Sequence, residues 1–301
     1  MAKELVYTSA EHGLRPGTRG FCTVAYTVGM RPQVIQILEA LSAYKNMYAV
    51  HDQRLAESPA SFSHYRYKLT GRNLSILSRV APTSADHTAR SNKVAHHVVL
   101  ENRERVNAGP AWLASQPGFF LEEWSRAPQH IAEPKKIEDK AGEIPTHAAS
   151  WEMLTGDAGW AGVLAYSFLA NAKRPAFLVF EPGLDLLPLI AEALALLVPE
   201  QRWQVTYNTY FTALPAGASC AWRCCLPDSD ALREARRNPS ALVIDLTSKL
   251  DVPRENSLVT CAREGTPLPK SVSASSASTN HRFTVLPQAS KPRLRMRPKI
   301  L

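Results

Sequence analysis

Two adjacent histidines, His96 and His97, are the residues whose types and spacing most invite chemistry. They sit in Ser91-Asn92-Lys93-Val94-Ala95-His96-His97-Val98-Val99-Leu100, a short run apolar on both alternating sets of positions. In a strand, Val94, His96, Val98 and Leu100 face one way and Ala95, His97 and Val99 the other. The two imidazoles therefore point to opposite faces and do not readily ligate one metal together. Zinc would need further ligands from Cys22, His87 or an acid brought near by the fold. Acid–base or nucleophilic chemistry would need one histidine beside Cys22, Asp86, His87 or Arg90. The simpler reading is one hydrogen-bonded core histidine and one lining a shallow surface.

Other candidates carry the same tension. Cys220, Cys224 and Cys225 resemble a metal half-site. In a strand, however, Cys220 and Cys224 lie about 13 Å apart at ~3.3 Å per residue, too far for one zinc. Buried structural cysteines fit better, and no metal or cofactor is expected. Gly13 to Gly20 contains Arg15 and Arg19 and could hold an anion. A turn with solvated arginines is the plainer account. The phosphate-binding G-x-x-x-x-G-K-[ST] loop, the Gly-x-Ser-x-Gly elbow, the His-Glu-x-x-His motif and the dinucleotide fingerprint are all missing.

The elements that must position these residues are legible. Leu5–Ala10 and Phe21–Thr27 read as strands, and Pro32 opens a helix with Val34, Ile35, Leu38 and Leu41 on one side. Tyr65–Thr70 and Leu74–Val80 form a hairpin pattern around Gly71. The apolar pattern of 94–100 predicts a strand covered on both faces, near the middle of a sheet. Prolines at 110, 117, 128, 134 and 145 make residues 101–150 loop-rich, with Glu133–Glu143 charged and free to be mobile. Then come a helix over Trp151–Ala172, a strand at Ala176–Phe180 and a buried helix capped by Asp185 and running to Val198. Strands at Trp203–Asn208, Cys220–Cys225 and Ala241–Leu246 flank a short helix near Asp230–Arg236. The class is α/β (α+β), a mixed sheet with packed helices.

The net charge of +8 is concentrated at the end of the chain. Residues 252–301 hold nine Lys or Arg against two Glu, so the remainder is nearly neutral. Residues 251–301 are expected to be a disordered, Ser-rich, basic tail, able to touch nucleic acid or an anionic membrane without specificity. Residues 1–250 are expected to form the folded domain, with possible halves at 1–125 and 151–250. Five cysteines without a regular framework, and a first strand directly after Met1-Ala2-Lys3-Glu4, favour a reduced, cytoplasmic protein.

Several segments together resemble the amino-terminal domain, second type, of the bacterial GTPase-associated protein family. They are Gly20–Ala25, Phe62-Ser63-His64-Tyr65, Arg90–Leu100, Gly109-Pro110-Ala111-Trp112-Leu113 with Gln116–Phe119, and Trp203–Thr209. The likeness covers roughly residues 1–250. It implies a non-enzymatic adaptor that partners a GTPase encoded nearby, and other components, in a bacterial signalling or conflict system. It brings no catalytic residues. An enzyme reading stays open beside it, a hydrolase using His96 or His97 with Cys22, His87 or Arg90. So does an anionic-surface binder acting through the tail.

Overall fold

The computed structural model describes residues 1–49, 51–86, 89–139 and 144–266. His87 and the last 35 residues, with most of the basic tail, lie outside the described residues.

Among the described residues the chain builds one ten-stranded sheet. Strands β1 (Lys3–Ala10) and β2 (Gly20–Thr27) form the first hairpin. Helix α1 (Pro32–Leu41) follows, with proline at its start and Val34, Ile35, Leu38 and Leu41 buried. Strands β3 (Ser61–Leu69) and β4 (Arg72–Thr83) make the second hairpin. Strand β5 (Asn92–Leu100) pairs antiparallel with both β4 and β1, and its last seven residues are buried. The loop-rich middle holds a helical turn at Asn102–Glu104, the five-residue helix α2 (Pro110–Ala114) and the short β6 (Gln129–Ile131), which pairs parallel with β2.

The second half alternates helices with short strands. Helices α3 (Ala149–Thr155) and α4 (Gly159–Ala170) precede β7 (Ala176–Val179). Helices α5 (Leu187–Ala195) and α6 (Pro199–Arg202) precede β8 (Tyr207–Asn208) and β9 (Trp222–Cys225). Helices α7 (Asp230–Arg237) and α8 (Ser257–Glu264) flank β10 (Leu242–Asp245). Strands β10, β7, β9 and β8 run parallel to their neighbours, and β8 then pairs antiparallel with β3 through Ser63↔Asn208 and His64↔Tyr207. The order β10-β7-β9-β8-β3-β4-β5-β1-β2-β6 therefore carries one sheet through both halves.

Residue alternation sorts the two faces. Val98, Leu100, Leu77, Leu178, Cys224 and Ile244 join α2, α3, α4, α5 and α8 in the larger core. Leu5, Val99, Ile76, Tyr65, Phe177 and Cys225 join α1 and α7 in the smaller one.

Four sequence expectations shift. The helix expected over 151–172 is two helices, broken where Gly156 takes φ +80° and closes α3. The helix expected from Asp185 to Val198 is regular only over Leu187–Ala195, although Asp185 Oδ1 does accept from the Leu187 amide at 3.0 Å. The strand expected from Trp203 shrinks to Tyr207–Asn208, because Trp203 caps α6 and Gln204 continues its turn. The tail begins later than 251. Asn256 caps α8 by accepting from the amides of Leu258 and Val259, and the helix buries Leu258, Val259, Cys261 and Ala262.

Candidate functional site

The two histidines sit where alternation puts them, on opposite faces of β5, and neither is exposed. His96 faces the larger core. Its Nδ1 accepts the Leu121 amide at 2.9 Å, so the ring proton is on Nε2, 3.1 Å from Glu4 Oε1 though off the line of a hydrogen bond. Lys135 Nζ meets the same oxygen at 3.0 Å. Burial pulls the Glu4 carboxyl upward, but the Lys135 ammonium and the polar Nε2–H edge of His96 beside it hold it below its ordinary range. Burial pushes the His96 pKa down against the opposing pull of Glu4, which favours the neutral imidazole. Its lone pair is already used, which leaves no free base on the ring.

His97 faces α1. The Ser42 hydroxyl donates to Leu38 O at 2.9 Å, so it accepts from His97 Nε2, also at 2.9 Å. Nδ1 then accepts from the Ser78 hydroxyl at 2.7 Å. Both nitrogens are engaged, and burial lowers the His97 pKa to about 3.

The remaining candidates are scattered. Cys22 is buried in a small cluster with Val6, Val24, Ala25 and Val94, and β1 separates its strand from that of His96. Burial raises its thiol pKa. Asp86 binds the Ser9 hydroxyl at 2.8 Å and the Arg90 amide at 3.0 Å, while the Arg90 side chain is exposed. Arg15 and Arg19 are exposed on a turn that Thr18 closes onto Arg15 O. Cys220, Cys224 and Cys225 are buried, free thiols, with burial pushing all three upward. Among the described residues, no three His, Cys, Asp or Glu side chains gather as a metal site.

Sequence reasoning missed His64. It sits on β3 where the halves join, and its Nδ1 donates to Val205 O at 2.7 Å. Nε2 has no hydrogen-bond partner among the described residues, and neither does the nearby Tyr207 hydroxyl. The Trp203 ring stands edge-on to the imidazole at 5.5 Å. Desolvation lowers the His64 pKa to about 3.

Around His64 the two halves are tied by backbone acceptors. Trp203 Nε1 donates to Val106 O at 2.7 Å. The Arg202 guanidinium donates to Leu197 O, Ala195 O and Asn107 O, closing the end of α5 onto the middle loop. Gly109, at φ +95°, lies where a Cβ would come 3.1 Å from Arg202 Cβ. Phe62-Ser63-His64-Tyr65, Gly109-Pro110 and Trp203–Thr209 are thus the pieces of one seam. The signal was present in the sequence as three separate motifs; their meeting was not.

On the opposite face the seam opens into a hollow of about 220 Å³ between the end of α1, β3 and residues 208–215. Ser61, Ser63 and Tyr65 line it from β3, with Asn208 and Tyr210 from across the seam.

An antiparallel sheet is thus annealed to a parallel one through the pairing of β3 with β8. The chain matches the model of GTPase-associated protein 1, N-terminal domain type 2, over residues 1–138. It also matches GTPase-associated protein 1, middle domain, over residues 148–248. The chain belongs to the GTPase-associated protein 1 family, and the seam is where the two matched domains meet. No curated protein matches its sequence. Among the described residues, no helix is long and apolar enough to cross a membrane.

Proposed function

We propose that this chain is a non-enzymatic adaptor that binds a GTPase encoded beside it, in the cytoplasm, within a bacterial signalling or conflict system. The observation that carries the reading is the pair of matches to domains described as GTPase-associated, which together span residues 1–248. The engagement of both nitrogens of His97, and of the lone pair of His96, agrees with a structural use of these residues. A shared sheet gives such an adaptor a rigid body on which a partner can dock with little reorganisation.

The test is a pull-down of the full chain with the GTPase encoded nearest its gene, loaded in turn with GDP and with a non-hydrolysable GTP analogue. The expected result is retention that differs between the two nucleotide states. Equal absence of binding in both states would remove the adaptor reading.

A further inference from the structure

The hollow on the α1 face of the seam has features that no structural role uses. Its floor is fixed in advance. Ser61 Oγ and the Tyr210 amide both donate to Asn208 Oδ1, at 3.1 and 2.8 Å, which uses that oxygen fully. Asn208 Nδ2 donates to Tyr65 Oη at 3.1 Å. The walls are fixed as well. Tyr44 Oη donates to Pro59 O at 2.7 Å and Tyr210 Oη to Lys45 O at 3.0 Å, with the two rings 5.4 Å apart.

One group in this frame is unused. Ser63 is 5% exposed and lines the hollow, yet its hydroxyl has no hydrogen-bond partner among the described residues. It can both donate and accept. The hydroxyl is open to the hollow, so a ligand with a complementary edge can meet it without breaking an existing bond.

The chemistry of the lining selects the ligand. Among the described residues no carboxylate and no arginine lines the hollow, and the cationic side chain that does, Lys45, is exposed at its rim. Burial holds Tyr44, Tyr65 and Tyr210 in their neutral form. A charged group carried down to the Ser63–Asn208 floor would lose its water without meeting a counter-charge there. The volume lies below the roughly 300 Å³ at which drug-sized pockets begin, so it suits a single ring. Tyrosine rings offer a flat apolar wall, and Ser63 with the second Nδ2 hydrogen of Asn208 offers a polar floor.

We propose that this hollow binds a single uncharged ring with hydrogen-bonding groups at its edge, the chemistry shared by a pyranose sugar and a pyrimidine base. The site takes residues from both matched domains, so a bound ring would brace the seam. The inference stands apart from the GTPase reading.

Saturation-transfer NMR on the full chain tests it. The probes are methyl α-D-glucopyranoside, N-acetylglucosamine, uracil and thymine, with glucose 6-phosphate and orotate as charged counterparts. Transfer to the sugars alone assigns a pyranose site, and transfer to the bases alone assigns a pyrimidine site. Ser63→Leu, which fills the hollow from its floor, is expected to weaken binding by about tenfold or more, the equivalent of one lost hydrogen bond to a bound ring. Thr212→Trp, which blocks the mouth from an exposed position, serves if Ser63→Leu does not fold. No transfer to any uncharged probe overturns the proposal. So does equal transfer to the charged probes, or unchanged binding when the hollow is blocked.

Discussion

His97 and His64 are neutral imidazoles held where an imidazolium would find no counter-charge, and this makes stability depend on pH. Both have folded pKa values near 3, against an ordinary 6.5. Below pH 6.5 the unfolded chain takes up protons that the folded chain refuses. The contribution of each histidine is therefore complete above about pH 6.5 and declines by roughly 1.4 kcal/mol per pH unit from there down to about pH 3, where the folded chain also takes up the proton. Urea midpoints at pH 7 and pH 5 measure this. The wild type should lose more stability over that interval than His97→Gln, which starts lower but lacks one of the two groups. Identical losses would mean that His97 is protonated in the folded protein. The placement of His96 and His97 was legible, since an apolar pattern on both faces puts β5 inside a sheet, whereas nothing in the sequence singled out His64. The partners of that pair were not. The Leu121 amide, Ser42 and Ser78 reach the pair from distant segments, and no spacing in the sequence announces them.

Helix α8 meets α4 at a glycine. A Cβ on Gly162 would lie 2.4 Å from Val259 N and 2.5 Å from Leu258 O, backbone atoms that cannot turn aside. Gly162→Ala should therefore cost about 1–3 kcal/mol, as overpacked cores do, and lower the thermal midpoint. A variant as stable as the wild type would contradict the packing. The same helix is fastened by Arg263, whose Nε and Nη2 each meet a carboxylate oxygen of Asp157 at 2.7 Å. Arg263→Met should loosen α8 and speed the reaction of Cys261, now 6% exposed, with a thiol reagent, while unchanged kinetics would show that the ion pair anchors nothing. In the sequence α8 is eight residues with a short apolar stripe, flanked by serines and basic residues, and composition hid it. Its caps were readable: Asn256 before and Gly265, at φ +70°, after. Longer elements such as α1 and the β3–β4 hairpin repeat their pattern enough to outvote their surroundings.

At the scale of the molecule, the sheet makes the two matched domains one cooperative body. Calorimetry of the full chain should give a single unfolding transition, and residues 1–138 expressed alone should aggregate, because the His64 face and the β3 edge would lie open. Two separable transitions would contradict this. That the halves share a sheet was not legible, since β8 is two residues long and carries no periodicity. Those two residues also set a timetable. A ribosome finishes β3 at Leu69 and reaches Asn208 only after all of the middle segment and most of the second half. At about 5–20 residues per second, the nascent chain carries an unpaired β-edge for on the order of ten seconds. Through that interval it is a natural client for a chaperone that shields strand edges, and synonymous codons that slow translation between β6 and β8 would lengthen its exposure.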